Sequence, residues 1–158
     1  MKKVAGILGV CLSAAFLLSV QAGQTSSGAS ASKVKVQVDA GKPDDKGNQV
    51  INVKMVIDPG WYVYANPVDH NNEFLNSNKT TLTITSKDKL QSVKIDYPKG
   101  KIKNEDKQQF KIYEGTVTLQ ATVRRGQGNK APVQGTLAIN ACNKDRCLER
   151  GEITFSIP

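Results

Sequence analysis

Apolar and polar side chains alternate along the chain from Lys33 onward, and this pattern leaves few fold classes open. Successive side chains of a β-strand point to opposite faces, so an apolar residue at every second position predicts a strand with one buried face. The alternating runs are residues 34–38, 51–57, 82–84, 93–95, 117–123, 137–139 and 153–157. About eight strands in roughly 126 residues, these seven runs among them, predict an all-β fold, an antiparallel β-sandwich of immunoglobulin-like size.

Two long polar connections interrupt this spacing, at residues 66–78 and 99–109. Neither segment shows the 3.6-residue period of an amphipathic helix, and the chain has no internal repeat. Loops of this length on a compact scaffold are usually functional or mobile.

The first 22 residues have the pattern of a secretory signal peptide. Two lysines follow Met1, residues 4–20 carry no charge, and the small residue Ala22 suits cleavage by a signal peptidase. The alternative is an uncleaved membrane anchor, although an apolar run of about 17 residues is at the lower limit for a span. We therefore expect a signal peptide over 1–22, a flexible polar linker over 23–32 and a folded domain over 33–158.

The chain is basic, with 22 Lys and Arg against 14 Asp and Glu, a formal charge of +8. Loss of Lys2 and Lys3 with the signal peptide leaves 20 against 14, or +6. Export from the cell interior argues against nucleic-acid binding. The basic stretch, Lys99, Lys101, Lys103 and Lys107, is expected to be a solvated face, with weak peripheral contact to anionic lipid or an acidic partner as the alternative.

Cleavage would also remove Cys11 and leave Cys142 and Cys147. An even number of cysteines in an exported protein indicates a disulfide. The four residues between them, 143–146, are polar turn formers, and a four-residue hairpin loop places its flanking residues opposite each other. We predict a cross-strand disulfide at the tip of a hairpin.

The register of this hairpin contains a conflict. If Cys142 pairs with Cys147, a strict ladder sets Ile139 against Arg150. A shift by one residue matches apolar partners instead: Leu137 with Ile153, Gly135 with Phe155, and Val133 with Ile157. Both pairings hold if a β-bulge lies near Arg150–Gly151.

The spacing of the cysteines leaves two roles open for the disulfide. As a staple it would close a very short loop, worth roughly 2 kcal/mol. As a redox pair it would be accessible at a hairpin tip, with Lys144 and Arg146 favouring a thiolate and Asp145 partly cancelling them. Cys-x4-Cys is not the thioredoxin spacing, so the pattern alone favours the staple.

Four motifs in order give a family resemblance. They are Gly60-Trp61-Tyr62-Val63-Tyr64-Ala65-Asn66-Pro67, Asp96-Tyr97-Pro98-Lys99-Gly100-Lys101, Tyr113-Glu114-Gly115 and Asn140-Ala141-Cys142-Asn143-Lys144-Asp145-Arg146-Cys147-Leu148. Their order and spacing over residues 33–158 resemble the N-terminal periplasmic domain of the thiol:disulfide interchange protein DsbD and its stand-alone relatives. The resemblance implies an immunoglobulin-like sandwich that exchanges thiols and disulfides with thioredoxin-fold periplasmic proteins.

Carried over by position, the resemblance makes Cys142 and Cys147 the exchanging pair, with Cys147 attacking the partner disulfide and Cys142 resolving. The residues that would line or cap the site are Tyr62, Tyr64, Asn104, Glu105 and Asp106, with Phe110 in place of the usual shielding aromatic. The chain departs from the family where Glu149 and Arg150 replace two frequent prolines. The membrane domain of the family is absent from the sequence, so we expect a separate membrane-embedded reductant.

The competing hypothesis is a non-enzymatic exported binding module whose disulfide only staples a hairpin. Whether the chain is an oxidoreductase therefore depends on the chemistry of the cysteine pair. We expect no cofactor and no metal, because a site built from His70 and the two cysteines would need a fourth ligand and reduced thiols.

Overall fold

The computed structural model describes residues 23–105 and 107–158. The expected signal peptide, residues 1–22, and Asp106 of the expected cap loop lie outside the described residues. The elements are β1 (Thr25–Ser27), a 3-10 helix (Ala29–Lys33), β2 (Val34–Ala40), β3 (Asn48–Ile57), β4 (Tyr62–Tyr64), α1 (Glu73–Ser77), β5 (Thr81–Ser86), β6 (Leu90–Asp96), β7 (Lys101–Glu105), β8 (Gln108–Tyr113), β9 (Thr116–Arg125), β10 (Val133–Ile139), β11 (Ala141–Cys142) and β12 (Gly151–Ile157). In this part of the chain no helix has the length and hydropathy needed to cross a membrane.

The strands form three antiparallel sheets. Sheet A has the order β1-β12-β10-β5, sheet B the order β2-β3-β9-β6, and sheet C the order β11-β4-β8-β7. Apolar side chains of sheets A and B, such as Leu137 and Phe155 from A and Ile51 and Leu119 from B, belong to one buried core. The predicted all-β, immunoglobulin-like sandwich is confirmed.

The alternation in the sequence accounts for the main sheets. In β3 the side chains of Ile51, Val53 and Met55 are completely buried, and the residues between them are not. β9 pairs with β3 so that Leu119 lies opposite Val53 and Ala121 opposite Ile51, which brings both buried faces into the same core. The two-residue period of apolar side chains therefore predicts both where a strand forms and which of its faces is buried.

The segment expected to be a flexible linker is structured from residue 25 onward. β1 pairs with β12, and in the 3-10 helix Ser30 and Ala31 are buried. The approach of the backbones is so close that a Cβ on Gly151 would lie 2.4 Å from the backbone N of Ala31. Small residues, which resemble a linker in composition, are what this close packing requires.

The two polar connections also contain regular structure. β7 and β8, residues 101–105 and 108–113, pair as an antiparallel hairpin where a loop is expected, with Glu105 opposite Gln108. The other connection contains α1, whose N-cap Asn72 accepts hydrogen bonds from the backbone N–H groups of Phe74 and Leu75. β7 is the edge of sheet C and carries lysines, a common protection of exposed edges, and this composition concealed the strand.

The cysteine hairpin has the register expected from its apolar residues. Leu137 pairs with Ile153, and the ladder continues to the pair Ile139 and Gly151. Cys142 then bridges to Cys147, so between these pairs the incoming strand advances by three residues and the outgoing strand by four. The extra residue on the outgoing strand is the predicted irregularity, and it coincides with the passage of the chain from sheet A to sheet C.

Candidate functional site

Cys142 and Cys147 form a disulfide across the hairpin, with their Cα atoms 3.9 Å apart. The two residues differ in access to solvent, because Cys142 is completely buried whereas Cys147 is exposed. Cys142 lies in β11 opposite Tyr62 of β4, which buries it against sheet C. An external thiol or disulfide can therefore approach the pair from the side of Cys147.

The loop between the cysteines is closed by its own hydrogen bonds. The Asn143 side-chain oxygen accepts from the backbone N–H groups of Asp145, at 2.9 Å, and Arg146, at 2.8 Å. The backbone N–H of Asn143 in turn donates to the carbonyl of Arg146. Because an Asn side chain organises the turn, the tip needs no packing from elsewhere and leaves Cys147 at the surface.

The Tyr64 hydroxyl contacts both sulfur atoms. Its oxygen lies 3.6 Å from Cys142 Sγ and 3.7 Å from Cys147 Sγ. A disulfide sulfur carries no hydrogen, so the hydroxyl is the donor in either contact. Tyr64 is buried and packs against Phe110, with ring centroids 5.7 Å apart. The hydroxyl is thus held where it can donate a hydrogen bond to whichever sulfur becomes a thiolate.

A second cluster surrounds Tyr62. Its hydroxyl donates to the Glu105 carboxylate over 3.2 Å, and its ring lies 4.8 Å from the Lys103 ammonium. Lys103 also pairs with Glu105 at 3.5 Å. The three side chains connect β7 to β4 beside the disulfide, and the lysine compensates the charge of the nearby carboxylate.

Both tyrosines are held in the neutral form. Burial raises the pKa of Tyr62 well above its ordinary value, and the neighbouring Tyr64 and Glu105 act in the same direction. Burial also raises the pKa of Tyr64, again with a contribution from Glu105. Neither phenol ionises near neutral pH, so both remain hydrogen-bond donors to the site.

An open cleft of about 280 Å³ runs beside the exposed cysteine. The residues that line it are Tyr62, Tyr64, Leu75, Glu105, Gln108, Phe110 and residues 143–147. One wall is the β7–β8 hairpin, another is the cysteine loop, and Leu75 of α1 contributes apolar surface. The cleft is a place where a partner's side chains can contact the disulfide.

The site contains most of the residues that the sequence predicts for it. The structure brings Tyr62, Tyr64, Glu105 and Phe110 together around the two cysteines. Asn104 lies away from the cleft, where its side-chain oxygen accepts from the Gln109 amide. Asp106, outside the described residues, has no placement.

Three further residues of the site are not predicted from the sequence: Leu75, Lys103 and Gln108. In the sequence, Lys103 is recognisable only as part of a basic stretch. One sequence signal for Leu75 is available. Phe74 and Leu75 are the two apolar residues of the segment 72–78, which begins with the N-cap residue Asn72.

Glu149 and Arg150, which depart from the family pattern, take part in the base of the hairpin. The Glu149 carbonyl accepts from both the backbone N–H and the hydroxyl of Ser30, and the Arg150 guanidinium donates to the Ser77 carbonyl at the end of α1. These contacts fix the outgoing strand on both sides.

His70 lies outside the cleft, and its Nδ1 accepts from the backbone N–H of Asn72 at 2.9 Å. In residues 23–105 and 107–158 no three His, Cys, Asp or Glu side chains converge as metal ligands would.

Comparison with known proteins identifies relatives of this arrangement. The family model described as thiol:disulfide interchange protein DsbD, N-terminal, matches residues 27–157. Among solved structures, the N-terminal periplasmic domain of ScsB from Proteus mirabilis has a similar fold, with a TM-score of 0.59 at 14% sequence identity. The similarity covers 79% of this chain and 46% of that chain, so the present chain spans about half of its length. No curated protein matches the chain.

Proposed function

The chain belongs to the family of DsbD N-terminal domains, and on that premise we propose that it is a periplasmic thiol–disulfide exchange domain. Its redox pair is Cys142 and Cys147. It relays electrons between a membrane-embedded reductant and thioredoxin-fold proteins of the periplasm. The signal peptide over residues 1–22 directs it there.

The exchange proceeds in two steps that balance in electrons. The reduced Cys147 thiolate attacks a partner disulfide, forms a mixed disulfide and expels one partner thiolate, which takes up a proton. The Cys142 thiolate then attacks Sγ of Cys147, forms the internal disulfide and releases the second partner thiolate. Two electrons pass to the partner, and the reverse sequence with a reductant restores the dithiol.

The observation that carries this proposal is the unequal access of the two sulfurs. Cys147 is exposed beside the cleft, and Cys142 is buried behind it with Tyr64 in contact with both. An attacking thiol must reach a partner, whereas a resolving thiol needs only to reach its neighbour. A hydrogen-bond donor at both sulfurs stabilises whichever one leaves as a thiolate.

A redox titration separates this proposal from a structural disulfide. The wild-type protein is equilibrated with graded ratios of oxidised and reduced dithiothreitol, and the free thiols are counted after acid quenching. We expect a reduction potential in the range of exchanging pairs, above about −300 mV. A potential below that value would identify a staple and support the non-enzymatic binding module instead.

Trapping tests the proposal from the partner's side. The Cys142→Ala variant retains the exposed sulfur and lacks the resolving one, so it should accumulate mixed disulfides with oxidised thioredoxin-fold proteins. The matched control is Cys147→Ala, which retains only the buried sulfur and should accumulate few. Equal yields from the two variants would contradict the assigned roles.

A further inference from the structure

The N-terminal segment of the domain lies directly under the cysteine hairpin. Ser30, in the 3-10 helix, is completely buried, and its hydroxyl donates to the Glu149 carbonyl over 2.6 Å. The same oxygen accepts from the backbone N–H of Ala141 over 2.9 Å. Ala141 immediately precedes Cys142, and Glu149 follows Cys147 by two residues. One hydroxyl therefore connects the incoming and outgoing strands at the base of the redox loop.

The packing around this contact is close on both sides. A Cβ on Gly28 would lie 2.2 Å from the Arg150 carbonyl oxygen, and one on Gly151 would lie 2.4 Å from the backbone N of Ala31. The backbone N–H of Ser30 adds a further hydrogen bond to Glu149, at 3.0 Å. The segment is thus fixed against the hairpin base by backbone contacts, and the Ser30 hydroxyl has little freedom to move away.

A hydrogen-bonded link between the two strands at this position shifts the equilibrium between dithiol and disulfide toward the disulfide. When the bond is reduced, the two sulfurs remain close only if the strands that carry them stay together. A link across the hairpin base holds the two thiols close to each other. Their effective concentration is therefore high, which favours formation of the disulfide. Asn140 provides a second link between the strands, since its side-chain amide donates a hydrogen bond to the Leu148 carbonyl over 2.7 Å.

We propose that Ser30 is a positioning residue for the exchange, whose buried hydroxyl holds the base of the Cys142–Cys147 hairpin and thereby sets the reduction potential of the pair. This inference rests on the proposed function, in which that potential determines the direction of electron flow. In the reaction concerned, the S–S bond breaks and the pair takes up two electrons and two protons from a dithiol reductant, which becomes a disulfide.

The test compares Ser30→Ala with the wild type in the dithiothreitol titration. Loss of the hydroxyl leaves the Ala141 N–H without its partner and removes one of the two hydrogen bonds from Ser30 to the Glu149 carbonyl, so the link across the hairpin base is weakened. We expect the equilibrium constant for disulfide formation to fall about tenfold, which for two electrons makes the potential about 30 mV less negative. The control is Ser32→Ala, because the Ser32 hydroxyl donates to Ala29 within the same 3-10 helix and does not contact the hairpin. Its potential should match the wild type.

Circular dichroism of the oxidised and reduced forms establishes that each variant is folded. If Ser30→Ala does not fold, hydrogen exchange of the Ala141 N–H in the reduced wild-type protein replaces it, because this N–H donates to the Ser30 hydroxyl. Strong protection in the reduced form is expected, and rapid exchange there would overturn the inference. A folded variant whose potential equals that of the wild type would overturn the inference. The wild-type potential by itself decides the proposed function, so the two failures are distinguishable.

Discussion

The hydroxyl oxygen of Tyr64 lies 3.6 Å from Sγ of Cys142, across the contact between β4 and β11. The same oxygen is 3.7 Å from the outer sulfur, so one donor serves both atoms of the pair. Because burial raises the pKa of Tyr64 above its ordinary value, the proton stays on this oxygen near neutral pH. The relationship makes Tyr64 the side chain whose chemistry is most directly coupled to the sulfurs.

Replacing Tyr64 with Phe should raise the pKa of the reactive thiol, because the thiolate loses a charge-assisted hydrogen bond. Such bonds are worth about 1.5–3 kcal/mol, so we expect exchange at neutral pH to slow by at least about tenfold. The pH dependence of iodoacetamide alkylation of the reduced protein measures the shift. Tyr97→Phe is the control, since that hydroxyl accepts from Leu82 and lines no part of the cleft. Superimposable pH profiles would contradict the role of Tyr64.

Replacing Lys103 with Gln should slow alkylation by about two- to threefold at low ionic strength. The Glu105 carboxylate loses its compensating cation, and an uncompensated negative charge beside the pair disfavours the thiolate. Salt should suppress the difference, as expected for a partly exposed pair. Lys101→Gln is the matched control, because Lys101 pairs with Glu114 outside the cleft. An equal effect of both substitutions would show that net charge alone is responsible.

In the reduced protein, Cys147 should be alkylated at least about tenfold faster than Cys142. The reason is access, because Cys142 is completely buried and Cys147 is exposed. A short pulse of iodoacetamide followed by peptide mass spectrometry gives both rates in one experiment. Each single Cys→Ala variant supplies the rate of the remaining sulfur alone. Equal rates would mean that the reduced hairpin opens and exposes both sulfurs.

The folded protein should lose stability as the pH rises above about 10, the ordinary pKa of a tyrosine. Burial raises the pKa of Tyr62, Tyr64 and Tyr113, so above that pH the unfolded chain releases protons that the folded chain retains. The unfolded state then binds fewer protons, and the free energy of unfolding falls with increasing pH. Urea midpoints of the oxidised protein at several alkaline pH values measure this. Tyr62→Phe should weaken the dependence, and an unchanged slope would contradict the assignment.

Substituting Gly135 with Ala should destabilise the core by about 1–3 kcal/mol, the usual cost of overpacking. A Cβ at this position would lie 2.1 Å from Cζ of Phe155, which is the cross-strand partner of Gly135 and is almost completely buried. Denaturant unfolding measures the change. Gly126→Ala is the control, since the nearest atom to its Cβ would be the Lys89 carbonyl oxygen at 3.9 Å. Similar unfolding free energies for the two variants would exclude the steric explanation.

Alternation of side chains was sufficient to predict the sandwich and the register of β10 with β12. Leu137 and Ile153 are both buried, and only the pairing shifted by one residue places them opposite each other. The same rule separates Val63, which joins the main core, from Tyr62 and Tyr64, which face the disulfide. These features follow from the local pattern, because each depends on which face of a strand is buried.

The β7–β8 hairpin and the N-terminal segment could not be read in this way. In β7 the apolar residue Ile102 is 61% exposed, so the strand has no buried apolar face to reveal it. Residues 28–31 are small, and their fit against Gly151 depends on a strand more than a hundred positions later. Both features depend on contacts with residues distant in sequence, so the local amino-acid composition does not predict them.

Pairing of β1 with β12 joins the beginning of the domain to its end, and the contact between Ser30 and Glu149 spans 119 positions of sequence. Bringing residues this distant together costs chain entropy, and folding slows as contacts become less local. The segment that supports the cysteine hairpin cannot make these contacts until β12 has been synthesised. We therefore expect the two sulfurs to acquire this support late in folding, and cysteines that form a disulfide earlier to do so without it.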